Sequence, residues 1–150
     1  MATQWTAQGI TSGAVLPAAT LQSIGAAWVD YTPTLSQGAT VSKTIVVARY
    51  CQIQKLVMVS LAMNPTSAGT AGNALVVGLP IAARAATAQI VGHGFIYDNS
   101  PQFTYNISAY LASTTTVASL YQGGSPWGNS PALTIANGDQ VQMNFMYEVA

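Results

Sequence analysis

The residues that could do chemistry in this chain are few. His93 is the only histidine and Cys51 the only cysteine. His93 lies in Val91-Gly92-His93-Gly94-Phe95, where flanking glycines permit close backbone approach. A nucleophilic triad would use it as the base, yet no G-x-S-x-G turn accompanies it. Its place in an alternating run reads as a packed or interface histidine. One cysteine excludes an internal disulfide framework and a cysteine zinc cluster. Cys51 sits in an alternating apolar stretch and reads as a buried thiol. A reactive thiolate would need a cation or a helix N-terminus beside it, and Arg49 and Lys55 are near only in sequence. Glycoside hydrolysis needs two carboxyls a few Å apart, but Asp30, Asp98, Asp139 and Glu148 are scattered along the chain. Asp98-Asn99 and Asn137-Asp139 are the places a hard cation would bind, though such sites usually gather several carboxylates. Asp in such turns more often bends the backbone. No glycine loop that opens a helix is present to cradle a phosphate. The expectation is no catalytic residues, no cofactor and no metal. The remaining candidate is aromatic. Trp127, inside the loop Gly123-Gly124-Ser125-Pro126-Trp127-Gly128, could offer a ring to a sugar, or could pack over the end of the domain or against a neighbour.

The polypeptide around these residues is short of charge. Eight of 150 residues are charged, 5%, against about 25% in an average protein. The net charge is zero, which favours association. Four scattered cations make no basic footprint, so a nucleic-acid partner is excluded. A membrane-spanning helix needs about 20 mostly apolar residues in a row, and Arg49, Gln52, Gln54 and Lys55 interrupt the longest apolar stretch. Met1 to Gly9 has neither the basic start nor the apolar region of a secretory signal. Half the residues are hydrophobic, which argues against charge-driven disorder. Ser, Thr, Asn and Gln supply the polarity. Interface cores are depleted in charge, so the composition reads as that of a protein covered by other protein.

Two regions must hold these residues. Residues 1–27 read as an N-terminal arm or anchor. Pro17 suits the first position of a short helical turn and Gly25 its C-terminal cap. Leu21 and Ile24 would share its face as anchor residues. Residues 28–150 read as one β-sandwich domain, because the apolar period becomes two. Ile53, Val57, Val59, Leu61 and Met63 share one face, with Gln54, Met58, Ser60 and Ala62 on the other. Leu75, Val77, Leu79 and Ile81 alternate, as do Val91, His93, Phe95 and Tyr97, and Phe103, Tyr105, Ile107, Ala109 and Leu111. Val117, Ser119 and Tyr121 follow more weakly. Leu133 and Ile135 mark a short strand, and Val141, Met143, Phe145, Tyr147 and Val149 close the series. Asn64 to Asn73 and Gly123 to Pro131 read as long loops, Asp98-Asn99-Ser100-Pro101 and Asn137-Gly138-Asp139 as tight turns. The fold class is all-β, an antiparallel jelly-roll-like sandwich.

One stretch is more specific. Ala27-Trp28-Val29-Asp30-Tyr31-Thr32-Pro33-Thr34-Leu35 resembles the W-x-x-Y-x-P-T-L opening of bacteriophage virion domains. Ala48-Arg49-Tyr50-Cys51-Gln52-Ile53-Gln54-Lys55-Leu56-Val57 is similar to the G-R-Y-x-x-x-G-K-x-V element that follows there, with Ala48 and Gln54 in place of the two glycines. Leu79-Pro80-Ile81 matches a later L-P-V/I element. The resemblance covers roughly residues 17–97. It implies a jelly-roll sandwich of the head-fibre, decoration or tail-fibre type. It implies a structural virion protein, made in the host cytoplasm and located on the capsid surface or tail. A homotrimer would be held by the arm to major capsid or tail proteins. A tail-tip module that binds a host surface glycan is the alternative. Independently, the rings of Trp28 and Tyr31 carry polar handles and Pro33 sets an extended backbone. These three residues form a structural junction between arm and sandwich.

Overall fold

A computed structural model describes residues 27–84, 88–112 and 116–149. The arm with Leu21 and Ile24 lies outside the described residues, so the helical turn and the anchor are not located. Among the described residues every regular element is a strand: β1 (Val29–Asp30), β2 (Leu35–Gln37), β3 (Ala39–Thr40), β4 (Lys43–Ile53), β5 (Leu56–Pro65), β6 (Leu75–Gly78), β7 (Gln89–Asp98), β8 (Phe103–Leu111), β9 (Val117–Gln122), β10 (Ser125–Pro126) and β11 (Gln140–Glu148). They form one antiparallel sheet in the order β1-β4-β5-β11-β7-β8-β9-β6-β2-β3, with β10 paired to β9. Its inner side forms a single core that joins Val57, Leu61 and Phe145 from one half to Ile107, Leu120 and Leu75 from the other. One sheet therefore curls over itself, which gives the expected all-β, sandwich-like class.

Alternation places the core side well in β5 and β11. Val57, Val59, Leu61 and Met63 are buried, as are Val141, Met143, Phe145 and Tyr147. Other readings change. The apolar series from Ile53 to Met63 is two strands, because Gln54 and Lys55 form the turn between β4 and β5. Gln54 takes the glycine's role with φ +53°. Its carbonyl accepts a hydrogen bond from Gln52 Nε2 at 2.7 Å. Strand β6 stops at Gly78, before Pro80, so Leu79 and Ile81 fall outside it. Leu133 and Ile135 are not in a strand. Ile135 N–H donates instead to the buried Gln37 side chain, and its carbonyl accepts from Gly69 N–H.

Strand β7 is turned over relative to the sequence pattern. Ile96 faces the core with Gly92 and Gly94, while His93, Phe95 and Tyr97 lie on the outer side. The cause is strand β11. A Cβ at Gly92 would run into Phe145, and one at Gly94 into the Gln142 carbonyl and Met143. The β11 backbone passes too close for any side chain at these two positions, a close approach that only glycine permits.

Candidate functional site

The junction residues sit at one edge of the sheet. Val29 and Asp30 pair with Tyr50 and Arg49 of β4, and Tyr31 N–H continues the pairing to the Ala48 carbonyl at 2.9 Å. Tyr31 turns inward and meets Tyr50 edge to face, with centroids 6.0 Å apart. Its hydroxyl is buried without a hydrogen-bond partner among the described residues. Burial, helped by the neighbouring Tyr147, pushes this phenol well above its ordinary range. Pro33 is buried just beyond. Trp28 points the other way and is 45% exposed. The Arg49 guanidinium lies 5.0 Å from its ring centroid, a cation–π contact. The junction thus has an inner half, Tyr31 with Pro33, and an outer half, Trp28.

The outer half leads onto the outside of the sheet, where residues directly opposite across strands point the same way. One row runs Arg49, Ser60, Asn144, His93, Ser108, Tyr121 across β4, β5, β11, β7, β8 and β9. Beside it Cys51, Met58 and Met146 form a second row. Trp28 extends this row at the β1 end, one position before the Val29–Tyr50 pair. The β11–β7 pairing ends at Phe145 and Gly92, next to the β7 bulge, beyond which Ile90 pairs with Tyr110. Met146 and Ile90 are more than half exposed, at 55% and 59%. One row is polar and the other apolar, and the charges in them are Arg49 and, opposite it on β1, Asp30.

The chemistry of the polar row is neutral hydrogen bonding. His93 Nδ1 and Ser108 Oγ are 3.1 Å apart. The other cross-strand neighbour of His93 is Asn144, so no carboxylate opposite it orients the ring as a triad needs. His93 is exposed rather than packed. Tyr110 and Tyr121 lie ring against ring, 4.3 Å between centroids. Cys51 is buried, as its alternating context implies. It lies on the Met58 side of β4 rather than in the main core cluster.

Trp127 is placed differently from the sugar-platform reading. It is 1% exposed and its ring meets Tyr105 edge-on at 5.9 Å. Its backbone ties the loop to β9 through Trp127 N–H to the Leu120 carbonyl, and to β6 through Leu75 N–H to the Trp127 carbonyl. A ring enclosed in the core has no face for a ligand. The carboxylates of the two turns are also occupied. Asp139 accepts hydrogen bonds from Asn99 N–H at 2.9 Å and Ala136 N–H at 2.7 Å. Asp98 accepts one from Ser100 N–H at 3.1 Å. Burial pushes the Asp139 carboxyl up, partly offset by those two donors, and the Asp98 charge raises it slightly further. Among the described residues no group of three His, Cys, Asp or Glu side chains could hold a metal ion.

Sequence reasoning put Met58 on the polar side of its strand without assigning it a use, and did not single out Met146 or Ile90. The available signal was a large apolar residue on the side of an alternating strand that faces away from the core. This is an all-β antiparallel domain with a charge-poor outer face. No protein-family model, curated protein or solved structure matches the chain.

Proposed function

We propose that this chain is a structural bacteriophage virion protein, a homotrimeric capsid decoration or head-fibre protein attached through residues 1–27. The observation that carries the assembly part is the outer face, where Trp28, Met146 and Ile90 stand exposed in a surface nearly without charge. A soluble surface would be expected to carry about 25–35% charged residues, and two of the eight here, Asp98 and Asp139, are buried. The phage context rests on the resemblance of residues 27–35. In support, the motif's three distinctive residues each have a separate place by the sheet edge: Trp28 outside, Tyr31 inside and Pro33 buried just beyond it. The test is incorporation into particles. Tagged chain should appear in an electron-microscopy map as copies arranged about three-fold axes, and chain lacking residues 1–27 should fold but fail to incorporate. Incorporation of the truncated chain would refute the anchor, and a stable monomer at micromolar concentration in native mass spectrometry would refute the trimer.

A second reading is a tail-tip module that binds a neutral glycan. What favours it is the Tyr110–Tyr121 ring pair beside Ser108 and His93, not Trp127. Retention of binding on a glycan array after Tyr121→Ala would count against it.

A further inference from the structure

We infer that the outer face of β11, β7 and β8 is a track for a neutral oligosaccharide, laid along β7 from Tyr97 to His93. The inference rests on the glycan-binding reading above, and it moves the centre of the site from the Tyr110–Tyr121 pair to the middle of the sheet.

Three successive outer positions of β7 carry rings, and the register places a hydrogen-bonding side chain on each side of every ring. Tyr97 stands between Gln140 of β11 and Thr104 of β8. Phe95 stands between Gln142 and Asn106, and His93 between Asn144 and Ser108. Residues directly opposite across strands share a face, so these nine side chains form three parallel rows, each with a ring at its centre. Phe95 and Tyr97 are half-buried, while Gln142 and Asn106 on either side of Phe95 are exposed. The sheet therefore holds the rings in place and leaves the amides open to a ligand.

A pyranose has the matching distribution of groups. Its C–H face is apolar and packs on an aromatic ring, and its hydroxyls point outward and both donate and accept. A side-chain amide offers two donors and an acceptor, and the hydroxyls of Ser and Thr do both. The flanking strands lie about 4.8 Å to either side, within reach of the hydroxyls of a sugar stacked over β7. Outer positions repeat about every 6.8 Å along a strand, so Tyr97 to His93 spans roughly 14 Å, the length of a short oligosaccharide rather than one sugar. A protein partner fits less well. The core of a protein interface is apolar, whereas every position flanking this central file is polar.

Charge sets the class of sugar. Asp, Glu, Lys and Arg are absent from the nine positions, so an acidic sugar finds no cation there to pair with. Arg49 is in line with the third row but lies beyond Ser60, two strands from Asn144. Glu148, past Met146 on β11, is paired with Arg84 at 2.9 Å. Asp98 and Asp139, at the Tyr97 end, are buried and accept backbone hydrogen bonds. Lys43 begins β4, Lys55 is in the turn after it, and Asp30 is on β1.

The experiment is an array of neutral malto-, cello-, chito- and manno-oligosaccharides, from di- to hexasaccharide, with sialylated and sulfated glycans beside them. Calorimetry then gives dissociation constants for those that bind. The full chain is compared with Phe95→Ala, Gln142→Ala, Asn106→Ala and Tyr121→Ala, and with Val46→Ala, exposed on β4, as the control. Gln142 and Asn106 are exposed, so their variants keep the test open even where Phe95→Ala fails to fold, and circular dichroism verifies folding. The expected result is binding to a neutral series that strengthens with chain length. It should weaken by about tenfold or more in the Phe95, Gln142 and Asn106 variants and stay unchanged in the control. Binding lost in Tyr121→Ala but kept in those three variants would overturn the track and leave the ring-pair reading standing. A preference for the acidic glycans would overturn the track as a neutral site. A wild-type chain that binds none of the neutral oligosaccharides would overturn both.

Discussion

Gln37 offers the sharpest quantitative test of how this domain is held together. It is a fully buried polar side chain near the end of β2, and it connects two long loops. Its Nε2 donates to the carbonyls of Asn73 at 3.1 Å and Leu133 at 2.8 Å. Its Oε1 accepts from Ile135 N–H at 2.9 Å. The loops close around it so tightly that a Cβ at Gly69 or Gly128 would collide with its amide. Gln37→Met keeps the length and apolar stem but removes all three hydrogen bonds. The stranded Ile135 N–H costs about 1–3 kcal/mol. Each carbonyl adds about 1 kcal/mol, the net worth of the hydrogen bond it loses. The sulfur recovers about 1 kcal/mol of apolar burial. The sum is a loss of about 2–4 kcal/mol, a large part of the roughly 5–15 kcal/mol by which domains are stable. The assay is urea unfolding followed by tryptophan fluorescence, since Trp127 lies in one of the two loops. Gln37→Glu is the discriminating companion. Its carboxylate can still accept from Ile135 but places negative charge against two carbonyls. Its folded pKa must therefore rise, and the stability it contributes is present at low pH and lost as pH climbs through that raised value. The Glu variant should be less stable than the Met variant at pH 7 and recover on acidification toward pH 4–5. A loss below about 1 kcal/mol for Gln37→Met, or a Glu variant insensitive to pH, refutes the account.

Three other expectations follow from particular contacts. Gly94→Ala should destabilise by about 1–3 kcal/mol, because the new methyl must displace the β11 backbone at Gln142 and Met143; unchanged urea midpoints would show that β7 and β11 are less closely opposed. Gln54→Gly should stabilise by up to about 1 kcal/mol, since it removes left-handed strain at φ +53° that outweighs the chain entropy of glycine; a lower melting temperature would contradict this. Tyr147, whose hydroxyl donates to the Ile81 carbonyl at 2.7 Å, has its phenol pushed up to about 12, chiefly by burial. A raised folded pKa means stability present below pH 10 and lost as pH rises through 12. Absorbance at about 295 nm should show a late phenolate step that disappears in Tyr147→Phe, and an unchanged alkaline titration in that variant would refute it.

Much of the scaffold was readable in order of residues. The β5 and β11 cores follow from alternation because each strand carries an unbroken apolar series on one side, Val57 to Met63 and Val141 to Tyr147, and a mixed one on the other. The turn at Asp98–Pro101 follows from residues that bend the chain. Other features depended on what lies across the sheet. Strand β7 shows a good apolar set, Val91, Phe95 and Tyr97, on what proves to be its outer side, because Gly92 and Gly94 must face Phe145 and Met143. No window of β7 alone contains that constraint. Trp127 sits in a Gly/Ser/Pro loop typical of a surface, yet the loop folds inward to pair with β6 and β9.

The sequence by itself determined the all-β class, the scarcity of charge and the absence of a basic footprint, because composition and local period depend only on residue type and order. The resemblance at Trp28, Tyr31 and Pro33 was also legible there. Only the tertiary structure decided which side of each strand is free. It set Met58 beside Met146 across β5 and β11 and took Trp127 out of solvent. The physical reason is register. A strand's alternation defines two faces but not which of them meets the core, and residues dozens of positions apart become neighbours only when strands pair.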